Sequence, residues 1–355
     1  VTKISKRKVS HLDLCTREDV EARGGTLLEE VQLFHDALPE LSFHEVDPSL
    51  ELFGRRLQLP LIVTGMTGGA PQAAALNRAI AEAAQKAGFG FGVGSQRAML
   101  EDPACADTYQ VRDVAPDVLL LANLGAVQAR EAGVARAEEL VEAIGADALC
   151  VHLNPAQELV QDDGDRDFRG CLGAIGELVA SLRVPVVVKE TGCGLAPTTL
   201  RRLRQVGVQW VDVSGAGGTT WTGVEALRGS GRQQALGREL REWGIPTAAA
   251  VSFAVAEGFS TIASGGIRGA ADVVRALALG ARVAGMALPF LRAHAAGGPR
   301  AVLEYAERLA EGIRALLVLT GARDLAALHE VPRVLGPSLQ RWAGRSLGTG
   351  SWPSR

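Results

Sequence analysis

The sequence predicts an α/β fold, a (β/α)8 TIM barrel of parallel strands with its site at their carboxyl-terminal face, and three observations predict it. Short apolar runs alternate with longer Ala-rich amphipathic segments, eight such runs can be counted, and several of them end in glycine-rich turns. The runs are LPLIVTG (59–65), FGFGVG (89–94), VLLLANLG (118–125), DALCVHLN (147–154), VPVVVKE (184–190), VQWVDVSG (208–215), STIASGG (260–266) and ARVAGM (281–286). Near-continuous apolar strands imply burial on both faces, which a closed parallel barrel supplies. Segments such as QAAALNRAIAEAAQKAG and ARAEELVEAIGA provide the intervening helices. A doubly wound open sheet would also alternate strands with helices, but it normally carries one phosphate-binding Gly turn, after its first strand. Here such turns follow runs one, two, six, seven and eight.

The length of 355 residues suits one barrel domain spanning 1–355, with 1–58 as an N-terminal extension that covers one end of the barrel and 341–355 as a polar tail. With 47% hydrophobic and 22% charged residues, a large packed core is expected and disorder is excluded. A net charge of -3 gives no basic field for nucleic acid, although the first eight residues, VTKISKRK, form a local cationic cluster. The five cysteines have neither C-x-x-C spacing nor an even count, so they read as isolated thiols in a reducing compartment. Neither an apolar run near eighteen residues nor an apolar stretch after the charged amino terminus occurs, so no membrane insertion and a cytoplasmic location are expected.

Loops after strands seven and eight usually form the phosphate site of a barrel, and here they read SGGIRG (264–269) and GMALP (285–289). Gly265 and Gly266 bare backbone N–H groups, Arg268 can add a cation, and the following helix start favours an anion. The plainer alternative is a tight turn with a surface arginine. Lys189 ends its strand at the mouth, either to stabilise negative charge or as an ion pair with Glu190 or Asp212. Asn123 offers a donor and an acceptor toward a heterocyclic ring.

HLNPAQE (152–158) places His152, Asn154, Gln157 and Glu158 within seven residues after an apolar strand. A lone histidine there would more often be a satisfied core group, but its polar neighbours favour a site. Glu158 is a candidate ligand for a hard cation such as Mg2+ beside a phosphorylated substrate. RKVSH (7–11) lacks the apolar periodicity of a core helix and reads as a basic arm carrying Arg7, Lys8 and His11, with a solvated charge run as the alternative. SQR (95–97) adds Arg97 at the rim, and two arginines with a lysine can grip a diphosphate.

Taken together, RKVSH, TGMTGG, GVGSQR, NLGA, HLNPAQE followed by GDRDFRG, VVVKETGCG, DVSGAGGTTW, WGIPT and SGGIR resemble one family, the type II, FMN-dependent isopentenyl diphosphate isomerases, from residue 7 to about residue 290. The resemblance implies interconversion of isopentenyl and dimethylallyl diphosphate by a 1,3-proton shift, with FMN active in its reduced form, NADPH as reductant, Mg2+ accompanying the diphosphate, and a homotetramer or larger homo-oligomer. Carried over residue by residue, it implies that Gly65, Met66, Thr67, Ser95, Asn123, Lys189, Ser214, Thr219, Gly265, Gly266, Arg268, Ala287 and Leu288 hold the flavin and its phosphate. It implies that Arg7, Lys8, His11, Ser95, Gln96, Arg97, His152 and Asn154 bind the substrate. Gln157 would lie at the reacting alkene, Glu225 would be a second catalytic group near the flavin, and Glu158 would hold the metal.

Two oxidoreductase readings compete. An FMN-dependent 2-hydroxy-acid oxidase needs a base histidine and a carboxylate-binding arginine after strand six, where this chain has SGAGGTTW. An IMP dehydrogenase-like enzyme needs a nucleophilic cysteine in a Gly-Ser loop, and none of the cysteines has that setting. A flavin-binding sensor without catalysis would not require Arg7, Lys8, Arg97, Gln157 and Glu158 together.

Overall fold

A computed structural model describes residues 3–345. Eight parallel strands close into a barrel: β1 (Leu61–Val63), β2 (Gly90–Gly92), β3 (Leu120–Gly125), β4 (Ala148–Leu153), β5 (Val186–Glu190), β6 (Trp210–Asp212), β7 (Ser260–Ala263) and β8 (Val283–Met286). Each lies inside one of the eight expected runs, and in β1, β2, β6 and β7 the glycine-bearing ends leave the ladder before the run is finished. The register sets Gly125, His152, Lys189 and Asp212 side by side on β3 to β6, so polar residues of three runs reach one level. Below that level the strands are apolar and buried, as parallel strands covered by helices must be.

The segment before the barrel serves both of its ends rather than one. A hairpin, Leu50–Leu52 with Arg55–Leu57, plugs the amino-terminal end with the buried Leu52 and Leu57, and Phe53 meets Trp210 edge-on at 4.7 Å. Helix α1 (Lys3–Arg17) crosses the opposite end. The expected basic arm is therefore helical, and the reason its periodicity was hidden is chemical: the inward face carries polar residues. Arg7, His11 and Cys15, spaced by four, and Lys8 with Leu12 share that face. At the other terminus Pro337–Arg345 is a helix, so the expected polar tail starts within a helix over 341–345, and 346–355 lie outside the described residues.

Candidate active site

The carboxyl ends of the strands open into a cavity of about 220 Å³ beneath α1. One side of it is cationic. Lys8 Nζ donates to the Ser95 carbonyl and the Tyr109 hydroxyl, both at 2.8 Å, and Tyr109 donates in turn to Ser95 at 2.7 Å. Burial, reinforced by Arg7 and opposed by Cys105 and Glu101, pulls the Lys8 pKa down to about 7. Arg7 stands 3.6 Å from Asp163, and Arg97 lies between Glu101 and Asp165 at 3.5 Å from each. These long contacts orient both guanidinium groups without saturating them.

His152 completes this side, with its Nδ1 2.8 Å from Asn123 Oδ1. Because Asn123 Nδ2 already donates to the Val93 carbonyl at 3.1 Å, the amide oxygen must face the ring, so Nδ1 carries the hydrogen. Burial first, then the charges of Lys189, Lys8 and Arg97, lower the His152 pKa to about 3, which keeps the imidazole neutral.

The short helix Pro155–Val160 brings Gln157 and Glu158 to the floor between the two sides. Gln157 Nε2 lies 3.5 Å from Glu225 Oε1, and His11 Nε2 bonds the same oxygen at 2.8 Å. Arg228 bonds the other oxygen of Glu225. Burial works to raise the Glu225 pKa, but His11, Arg228 and Gln157 together hold it below the usual range, while burial lowers that of His11 against the pull of Glu225. With its amide turned to suit both neighbours, Gln161 accepts from Arg7 Nη1 at 2.8 Å and donates to Glu225 at 3.2 Å.

Glu158 is buried and accepts from Asn154 Nδ2 and from the Asp165 N–H, each at 2.8 Å. Gly164 makes that approach possible, since a Cβ there would lie 2.0 Å from the Glu158 carbonyl. A carboxylate with lone pairs to spare suits a hard cation, but among the described residues no group of three His, Cys, Asp or Glu could hold a metal. Water and substrate oxygens would have to supply the remaining ligands.

The opposite side is built mainly from backbone. Gly65, Met66, Ser214, Thr219, Ala287 and Leu288 line it, with Lys189 and Asn123 at its base. Gly265 and Gly266 turn with φ of 98° and 69°, and a Cβ on Gly218 would lie 2.2 Å from the Gly266 nitrogen. These glycines let two turns stack against each other at the cavity wall, beside the start of the helix beginning at Leu288. Thr67 Oγ1 is buried without a hydrogen-bond partner among the described residues. A base of Lys189 and Asn123 beside a glycine-rich turn fits a flat heterocycle that carries a phosphate, and the orphaned hydroxyl lies in a smaller pocket adjoining that side.

Most of the expected residues meet in this cavity; three do not line it. Gln96 is fully buried, its Nε2 donating to the Leu140 carbonyl at 2.9 Å and its Oε1 accepting from the Asn123 N–H at 3.0 Å, so only its backbone follows the rim. Thr67 opens onto a smaller adjoining pocket, and Glu225 sits behind Gln157 and His11. Arg268 does line the cavity, yet its guanidinium is bound to Glu21 and the Gly217 and Gly266 carbonyls. Lys189 pairs with Asp212 at 3.8 Å, whereas Glu190 offers it only a carbonyl.

The sequence reading missed Trp221, Glu21, Gln128 and Gln161, which also line the cavity. Gln161 was within reach, because its four-residue spacing from Gln157 marks one helix face. Glu21 and Gln128 carry no local signal.

Residues 157–332 match the family described as FMN-dependent dehydrogenase. Among solved structures, a mandelate oxidase variant with benzaldehyde superposes at a TM-score of 0.63 over 94% of this chain and 98% of its own, with 20% identity, a likeness of fold alone. Curated relatives go further. An isopentenyl-diphosphate delta-isomerase of Halobacterium salinarum is 45% identical over 341 residues, covering 94% of each chain. One from Methanosarcina acetivorans is 41% identical across 93% of this chain and 92% of its own. With that identity sustained over almost the whole length, this chain belongs to the type II isopentenyl-diphosphate delta-isomerase family.

Proposed function

We propose that the protein interconverts isopentenyl diphosphate and dimethylallyl diphosphate in isoprenoid biosynthesis, using FMN. The observation that carries this reading is the division of the cavity. A diphosphate-sized set of cations on one side faces a glycine-rich turn on the other, and the Gln157–Glu225–His11 column lies between them.

Arg7, Lys8 and Arg97, with His152 and Asn154, grip the substrate diphosphate, and Glu158 binds Mg2+ together with its oxygens. That grip directs the five-carbon chain toward Gln157. The reaction places one proton on the terminal alkene carbon and removes one from C2, so no net oxidation occurs. FMN, when bound and reduced, would supply an electron-rich face beside the alkene. Gln157 orients the alkenyl end and, through Glu225 and His11, connects it to groups that can hold a proton. Helix α1 excludes water from the carbocation-like centre. Lys189 stabilises the negative charge of reduced flavin, Ser214, Thr219 and the turn at Gly265 and Gly266 hold the rest of the cofactor, and Arg268 braces that turn.

The same reading includes NADPH as reductant, one domain for the whole chain, a homotetramer or larger assembly, and a cytoplasmic setting. Among the described residues no helix is long and apolar enough to cross a membrane. The 2-hydroxy-acid alternative fares worse, because the cavity wall after β6 presents Ser214, Gly218, Thr219 and Trp221 where a base histidine and a carboxylate-binding arginine are required.

The test is an anaerobic assay with FMN, Mg2+ and dithionite. Dimethylallyl diphosphate formed from isopentenyl diphosphate only with reduced flavin supports the proposal. Tight FMN binding without product points to an oxidoreductase or a flavin sensor.

A further inference from the structure

Asp212 is a buried acid to which the reaction described above gives no task. It ends β6 at 2% exposure, where Oδ1 accepts from Ser264 Oγ at 2.5 Å and from the Ser214 N–H at 3.3 Å. Its Oδ2 faces Lys189 Nζ across 3.8 Å, and Lys189 also donates to the Glu190 carbonyl at 2.6 Å. Lys189 borders both the main cavity and a small pocket below it, whereas Asp212 borders only the lower pocket. Asp212 therefore reaches the contents of the main cavity through its bonded neighbours Ser214, Ser264 and Lys189, of which Lys189 carries the charge. Burial pushes its carboxyl up from the ordinary range, against the pull of Lys189, Ser264 and Ser214.

An asparagine would satisfy Ser264 and the Ser214 N–H equally well, so hydrogen bonding alone does not call for a carboxylate here. What the negative charge adds is a counter-field to Lys189 in a site of low dielectric. The geometry points to Asp212 as a positioning residue that tempers the Lys189 cation and thereby sets how strongly the site favours anionic reduced flavin over oxidised flavin. This rests on the reading that FMN lies against Lys189. Two electrons and one proton convert oxidised flavin to that anion; Lys189 favours the product, and Asp212 limits the preference.

The experiment measures the two-electron reduction potential of protein-bound FMN by equilibration with a reference dye. Asp212→Asn should raise the ratio of reduced to oxidised flavin at a fixed dye potential by about tenfold. The same substitution in a Lys189→Met background should leave the ratio unchanged, because the path of action is gone. An equal shift in both backgrounds would mean a purely structural role and overturn the proposal. A fall in the ratio would overturn it too, showing that Asp212 serves to keep Lys189 charged. If Asp212→Asn does not fold, Ser264→Ala takes its place: losing one donor concentrates the carboxylate's charge on Lys189, so the ratio should fall, and an unchanged ratio would count against the idea. Wild-type protein that cannot retain FMN would defeat the cofactor reading and this proposal with it, whereas retained FMN with an unmoved potential would defeat this proposal alone.

Discussion

The two ends of the barrel use the same residue types in opposite ways. At the amino-terminal end Asp147 accepts from Arg55 Nε at 3.0 Å, from Arg112 Nη2 at 2.9 Å and from the Leu120 N–H at 2.9 Å. Arg112 spends its other donors on the Gly145, Pro116 and Val118 carbonyls. Every charge there is matched inside the fold, so the cluster ties the hairpin and two strands together. At the mouth, Arg7 and Arg97 meet carboxylates only at 3.5 to 3.6 Å, and the close partners of Lys8 and of Arg7 are neutral oxygens. Charge left unmatched at a buried surface costs stability, and a site keeps it where an anionic ligand is to supply the missing partner. A charged residue thus acts as a brace where the fold supplies its partner, as for Asp147 at the closed end and Arg268 at the mouth, and as a receptor where a ligand is left to supply it.

The sharpest way to break this contrast is to disable the mouth without disturbing the barrel. Replacing Gln157 with Ala should lower isomerase turnover by roughly 10² to 10⁴-fold, the range for a group that assists proton transfer, while FMN content after gel filtration stays the same. Undiminished turnover would remove Gln157 from the reaction. Loss of flavin along with activity would instead show that the substrate and flavin sides are not separable.

A smaller effect follows from Lys8. Its pKa of about 7 lies below that of an ordinary lysine, so the free ammonium is present below pH 7 and is lost as pH rises through that value. Diphosphate binding favours the charged form, which means that above pH 7 binding must also take up a proton. The affinity should then weaken by up to about tenfold per pH unit until the pKa of the bound state is reached. KM for isopentenyl diphosphate measured from pH 6.5 to 8.5 should rise accordingly. Lys8→Met should bind more weakly at pH 6.5 and show a flatter profile; the same slope in that variant would assign the titration to another group.

The contrast also explains what could be read from the chain beforehand. The eight strands were legible because parallel strands buried on both faces leave continuous apolar runs, and the tight turn at Gly265 and Gly266 was legible because its glycines mark it. Helix α1 was not legible as a helix, since Arg7, Lys8 and His11 occupy the face where apolar periodicity is sought. Glu21 and Gln128 were invisible because their roles arise only from chain crossings, as when Glu21 meets Arg268 and Arg292. Gln96 misled because its neighbours Ser95 and Arg97 reach the rim while its own side chain turns inward to the Leu140 carbonyl. Spacing along a loop gives proximity to a site; only the rotation of each residue gives contact.

The smallest expected effect on activity sharpens the contrast from the other end. Asp147→Ala removes the common partner of Arg55 and Arg112 and leaves the buried Leu120 N–H without its acceptor. Stability should fall by roughly 2 kcal/mol, read as a lower denaturation midpoint in urea with an unchanged slope, because a charge pair that is partly buried is being broken rather than replaced. Below the unfolding transition, kcat and KM should equal those of the wild type, since the strands transmit the mouth geometry through their packed apolar core and not through this cluster. A change in KM with intact stability would mean that the hairpin at the closed end influences the open one, and the division of labour between the two ends would then have to be abandoned.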